Sequence, residues 1–253
     1  MYSKALLASY NMGSEKTWAG EADTLAPISN KKPKSSNNFR ILDVFNDGFN
    51  MTISLQDSRA PLFYVRNSSW PFKKPDVTLS VGSKKGPILG GFKLAFSRQD
   101  TFYLGDPSGE QVEYEQLRQV STWSHNRYEF ESGKLENRCT FVWIRTARRF
   151  WGDQPDLELR EKIPSGVGGA DQLGAVLATY RGLGHQAFNW SGMRGTFSIR
   201  KDDGSATVGE KRGLLDWSDW ELMVLLTACG LIEASRRRAR SRRAAQHGLP
   251  FSS

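Results

Sequence analysis

Trp217-Ser218-Asp219-Trp220-Glu221-Leu222-Met223-Val224-Leu225-Leu226-Thr227-Ala228-Cys229-Gly230-Leu231-Ile232 is the stretch that decides the fold. Ser218 and Glu221 have the spacing of a capping box. In that motif the serine side chain accepts from the backbone N–H of residue 221, and the glutamate reaches back to that of residue 218. Trp217 and Leu222 stand at the two positions of a hydrophobic staple, so a helix is predicted to start here. From Leu222 to Ile232, at about 100° per residue, apolar side chains point to every side and leave no polar stripe. Such a helix must be enclosed all round, by a membrane or by protein. The run falls well short of the ~30 Å of hydrocarbon in a bilayer, which favours a protein interior.

The upstream sequence supplies the enclosure. Met51, Ile53 and Leu55 alternate with polar residues, as do Val77, Leu79 and Val81, then Tyr128 and Phe130, then Phe197 and Ile199. A period of two means one buried and one wet face, as in antiparallel sheets. Further strand-like runs cover 40–45, 62–66, 88–96, 101–104, 111–117, 139–145, 157–162 and 175–180, about a dozen strands in all. Asn46-Asp47-Gly48, Gly82 to Gly86, Asp106 to Gly109, Ser132-Gly133-Lys134 and Asp202 to Ser205 punctuate them as turns. About eight strands close on a space that side chains can fill, and more leave a wider lumen. The predicted fold is therefore all-β with one buried helix: a closed antiparallel β-barrel of about twelve strands around helix 219–243. The barrel is expected over 39–247, after a disordered leader at 1–38 and before a tail at 248–253.

Charge is unevenly spread. Of the net +8, six arginines and no acidic residue fall within 234–253, and five lysines against three acidic residues within 1–38, which leaves the body neutral. A uniformly basic nucleic-acid-binding domain would not look like that. The 2 cysteines lie in apolar segments, no apolar run has the length of a transmembrane span, and the opening residues lack a signal-peptide core. These features predict an intracellular protein, cytoplasmic or nuclear or peripheral to a membrane.

Many strands followed by one enclosed C-terminal helix resembles the tubby C-terminal-like superfamily of tubby proteins, phospholipid scramblases and LURP-one-related proteins. The stretches that carry the resemblance are Lys74-Pro75-Asp76-Val77-Thr78-Leu79, Leu104-Gly105-Asp106-Pro107, Tyr128-Glu129-Phe130-Glu131 with Phe141-Val142-Trp143, and the helix from Trp220 to Arg238. The chain looks closest to uncharacterised fungal members of that group. The resemblance implies basic residues on a barrel that meet phosphoinositide head groups, as in tubby proteins, or membrane association, as in scramblases. The tubby head-group residues have no matching positions here, so none is carried over.

Two basic groups are candidate sites. The cluster Arg236, Arg237, Arg238, Arg240, Arg242 and Arg243 can meet an anionic membrane surface, serve as a nuclear-import signal or nucleic-acid contact, or simply oppose the helix dipole and solubilise the helix end. Lys84 and Lys85 in a glycine-flanked turn, with Arg145, Arg148 and Arg149 after a strand, can cradle a phosphate head group or be ordinary solvated residues. Catalysis has little support. His125, His185 and His247 are scattered without metal-ligand spacing, and no phosphate loop, nucleophile elbow or dinucleotide fingerprint is present. Neither a cofactor nor a metal is expected. The leading expectation is a non-enzymatic binding or scaffold protein, with an anionic phospholipid surface or a protein as partner. A nuclear regulatory protein with a basic import tail is the alternative, and an enzyme the third.

Overall fold

A computed structural model describes residues 38–56, 58, 60–68, 75–95, 99–107, 112, 114–120, 125–132, 138–146, 155–164, 171–183, 192–201 and 217–246. Twelve strands run β1 (Phe39–Asp47), β2 (Asn50–Leu55), β3 (Pro61–Asn67), β4 (Val77–Val81), β5 (Ile88–Lys93), β6 (Gln99–Leu104), β7 (Tyr114–Gln119), β8 (Arg127–Ser132), β9 (Cys139–Arg145), β10 (Leu157–Ile163), β11 (Gln172–Gly182) and β12 (Met193–Arg200). One helix among the described residues, α1 (Asp219–Gln246), follows and continues three residues past the expected end at 243. The expected leader lies outside the described residues except for its last position, and the tail at 248–253 lies wholly outside them.

Each strand pairs antiparallel with its sequence neighbours, and β1 pairs with β12, so the sheet closes on itself in simple up-and-down order. Closure removes the open edges on which other chains would add. Between β1 and β2 the turn is Gly48-Phe49, and Gly48 at φ 61° takes the left-handed conformation that a tight hairpin demands.

Through the lumen runs α1, buried on every side from Glu221 to Ser235. Its entry is fixed by the capping box: Glu221 N–H donates to Ser218 Oγ at 3.2 Å, and Ser218 N–H donates to Glu221 Oε2 at 3.1 Å. The same glutamate accepts from Arg40 Nε at 2.9 Å, and the Arg40 guanidinium lies 4.3 Å from the Trp217 ring centre. One polar residue, Thr227, lies inside the apolar run. It accepts from the fully buried Trp143 Nε1 at 3.0 Å and donates back to Met223 O at 2.9 Å, so no polar group there is stranded. Gly230 gives the Phe92 ring its space, because a Cβ at 230 would sit 2.6 Å from that ring.

One feature departs from simple alternation. Thr78 and Ser80 occupy the expected wet face of β4 but are buried. Ser80 Oγ is within 3.3 Å of Tyr64 O and 3.0 Å of Ser83 O, and the Tyr103 ring lies over Gly91, the partner of Thr78.

Up-and-down order gives the barrel two distinct ends. The helix enters at the lower one, beside the start of β1. It leaves at the upper one, where the odd-numbered strands finish, and Arg236 there donates to Phe49 O at 3.0 Å.

Candidate functional site

At the upper end, half of the arginine cluster is structural. Glu233 is the last acidic residue of the helix and is almost fully buried. It accepts from Arg236 at 3.1 Å, Arg237 at 3.0 Å and Arg240 at 2.9 Å, three, four and seven residues on. Arg237 reaches further, to Asp76 Oδ1 at 2.5 Å and Ser68 O at 2.6 Å. Asp76 has no exposed surface and also accepts the Leu94 N–H at 2.9 Å. The result is a collar that ties the emerging helix to the β1–β2 turn and to the segment before β4. A buried carboxylate needs such partners, since an unpaired one would be strongly destabilising.

Arg238, next in the chain, belongs to a different group. It donates to Ser235 Oγ at 3.1 Å and interacts with Tyr128 and Asp100. Arg145 meets it from across the mouth of the barrel. Arg145 ends β9 with the inward parity of Phe141 and Trp143, and its Nε is buried without a hydrogen-bond partner among the described residues. Burial, and then the charges of Arg238 and Arg242, hold its guanidinium below the ordinary arginine value. His125 stands nearby in a left-handed backbone conformation, φ 46°, with Nδ1 3.4 Å from Tyr128 Oη. Burial, followed by Arg238 and Arg145, lowers its pKa, which favours the neutral ring. Asp100 supplies opposing charge, yet burial pushes its carboxyl up to about 6, against the pull of the Ala95 N–H at 2.9 Å and of Arg238.

Chemically, this mouth sets three guanidiniums, Arg145, Arg238 and Arg242, against Asp100, Asp156 and Tyr128, and one of the guanidiniums has a buried donor with no partner among the described residues. A phosphate, sulfate or carboxylate placed among the guanidiniums would accept charge-assisted hydrogen bonds.

The residues singled out in sequence are therefore redistributed. Lys84 and Lys85 are exposed in the β4–β5 turn, at the lower end, so they do not share a cradle with Arg145. Arg148 and Arg149 lie outside the described residues. Arg236 and Arg237 are partly buried in the collar, Arg240 joins it from an exposed position, and Arg242 and Arg243 are exposed. Sequence reasoning missed Asp76, Asp100, Tyr128 and Glu233. For Glu233 a signal existed, because an acid inside a helix with arginines three, four and seven residues on can gather them on one face. Nothing local links Arg145 to Arg238.

Among the described residues no group of three or more His, Cys, Asp or Glu side chains is arranged to hold a metal ion, and no helix is long and apolar enough to cross a membrane. Comparison with protein-family models, with curated proteins and with solved structures finds no match to this chain.

Proposed function

We propose that the protein is a non-enzymatic binding protein that docks on anionic, phosphoinositide-containing membrane with the upper end of its barrel. The observation that carries this reading is the meeting of Arg145 with Arg238 and Arg242, residues far apart in sequence, around a buried guanidinium donor that has no hydrogen-bond partner among the described residues. Phe49, 74% exposed at the tip of the β1–β2 turn, and the exposed Val120 and Leu183 belong to the same end and can enter the interfacial layer. Exposed apolar residues also occur at the lower end, including Leu55, Ile163 and Leu173, as do the exposed Lys84, Lys85, Arg200 and Lys201, so the reading rests on the grouping of Arg145 with Arg238 and Arg242. The import-tail reading is less well served, because Arg236, Arg237 and Arg240 are engaged by Glu233, Asp76 and backbone carbonyls.

Co-sedimentation with liposomes tests it. Phosphatidylcholine vesicles doped with a phosphoinositide are expected to retain the protein at low salt, pure phosphatidylcholine vesicles are not, and added salt should release it. Each arginine near an anionic leaflet contributes about 1 kcal/mol, so Arg238→Ala and Arg242→Ala should each weaken partitioning about fivefold. Equal retention on neutral and anionic vesicles would remove the proposal.

A further inference from the structure

Past the collar, residues 236–246 of α1 carry a single hydroxyl side chain, Ser241, within Arg236-Arg237-Arg238-Ala239-Arg240-Ser241-Arg242-Arg243. Ser241 is exposed, one position beyond Arg240 at the far end of the collar. From Ser241 to Gln246 every residue is exposed except the half-buried Ala244. A helix end that buries so little apolar surface opens at small cost. Opening it back to Arg238 gives up the contacts of Arg238 and Arg240. Arg236 on Phe49 O and Arg237 on Asp76, which tie the collar to the barrel wall, stay in place.

Arginines stand three and one positions before the hydroxyl, and one and two after it. An acidic substrate cleft can hold such a run by charge-assisted pairs. On the folded helix the neighbours of Ser241 are Arg237 and Arg238, four and three residues back. Arg238 also reaches Tyr128 and Asp100, and Arg242 shares the mouth of the barrel with Arg145. A phosphate on Ser241 brings about −1.5 to −2 of charge beside these guanidiniums. Asp76 and Asp100 are its competitors for Arg237 and Arg238, each with a single carboxylate charge.

We propose that Ser241 is a phosphorylation site for an arginine-directed serine kinase, and that its phosphate is held by Arg237 and Arg238 and offsets the positive charge of the upper end. In the transfer, Ser241 Oγ attacks the γ-phosphorus of ATP. The Oγ–P bond forms as the bond to the ADP oxygen breaks, and the hydroxyl proton passes to a base of the kinase. Release from anionic membrane is the consequence, and that part rests on the docking reading above.

Full-length protein is incubated with ATP and the catalytic domain of protein kinase C, and the product is mapped by mass spectrometry with Ser241→Ala as control. Phosphate is expected on Ser241 and is lost in the control. In the folded phosphoprotein, phosphorus-31 resonance should show the second ionisation below its ordinary value of about 6, and unfolding in urea should raise it. Retention on phosphoinositide-containing vesicles should fall at least tenfold, at about fivefold for each unit of charge. No phosphate on Ser241, or an ionisation that unfolding does not move, overturns the proposal. Equal retention of modified and unmodified protein overturns the release and leaves docking standing. Failure of the unmodified protein to bind removes docking instead, and the site then stands or falls on the mass and phosphorus measurements.

Discussion

Glu233 and Asp100 are two buried carboxylates at the same end of the barrel with opposite situations. Glu233 is held by three guanidiniums, so Glu233→Ala leaves Arg236, Arg237 and Arg240 without their common partner. It is expected to lose about 3 kcal/mol in equilibrium urea unfolding, the scale of breaking a buried ion pair. A loss below about 0.5 kcal/mol would mean the collar is ornamental. Asp100 has the reverse sign. Its folded-state pKa of about 6 lies above the ordinary 3.8, so the native state holds a proton that the unfolded chain has already released. The stability this contributes is complete below about pH 4 and is lost as pH rises through about 6. Asp100→Asn keeps an acceptor for Ala95 N–H and carries no charge. It should therefore exceed the parent in stability at pH 7.5, by of order 1–2 kcal/mol, and match it near pH 4. A difference independent of pH would contradict the burial argument.

At the scale of the element, the helix was the most legible part of the sequence. Capping box, staple and all-round apolar run are local signals, and both capping bonds are present. The glycine inside it was not legible, since its reason lies on another element. Gly230→Ala should gain about 1 kcal/mol in helix propensity but lose more to the clash with Phe92, for a net cost of about 1–2 kcal/mol. A double-mutant cycle with Phe92→Leu should recover part of that loss, and strict additivity would place the constraint elsewhere. Strands were legible where turns and alternation agreed, and less so where side chains cover the outer face. Thr78 and Ser80 read as wet positions because the alternation of one strand carries no information about Tyr64 on the neighbouring β3 or Tyr103 on β6, one strand further round.

For the whole molecule, enclosure and charge placement come from the same topology. Twelve up-and-down strands leave the helix nowhere to go but the lumen, and its exit gathers arginines from its own last turns with Arg145 from β9. That gathering could not be read in sequence. The arginine run looked like a free tail because Asp76, more than a hundred positions earlier, supplies its counter-charge. Lys84 and Lys85 looked equivalent to Arg145 because strand count, and hence the barrel end reached by each turn, decides what is adjacent. If the upper end meets anionic lipid, protonation of Asp100 makes it more positive, so liposome retention should strengthen between pH 7.5 and pH 5.5 and Asp100→Asn should abolish that change. Retention of the full pH response in the variant would assign it to another group.

Native-state hydrogen exchange of the helix amides tests the enclosing barrel most directly. A helix surrounded by a closed sheet cannot open alone, so the amides from Val224 to Ile232 should exchange only through global unfolding, with the free energy measured by denaturant. Exchange of those amides several kcal/mol below the global value, while the strands remain protected, would show a helix lying outside the sheet and contradict the account.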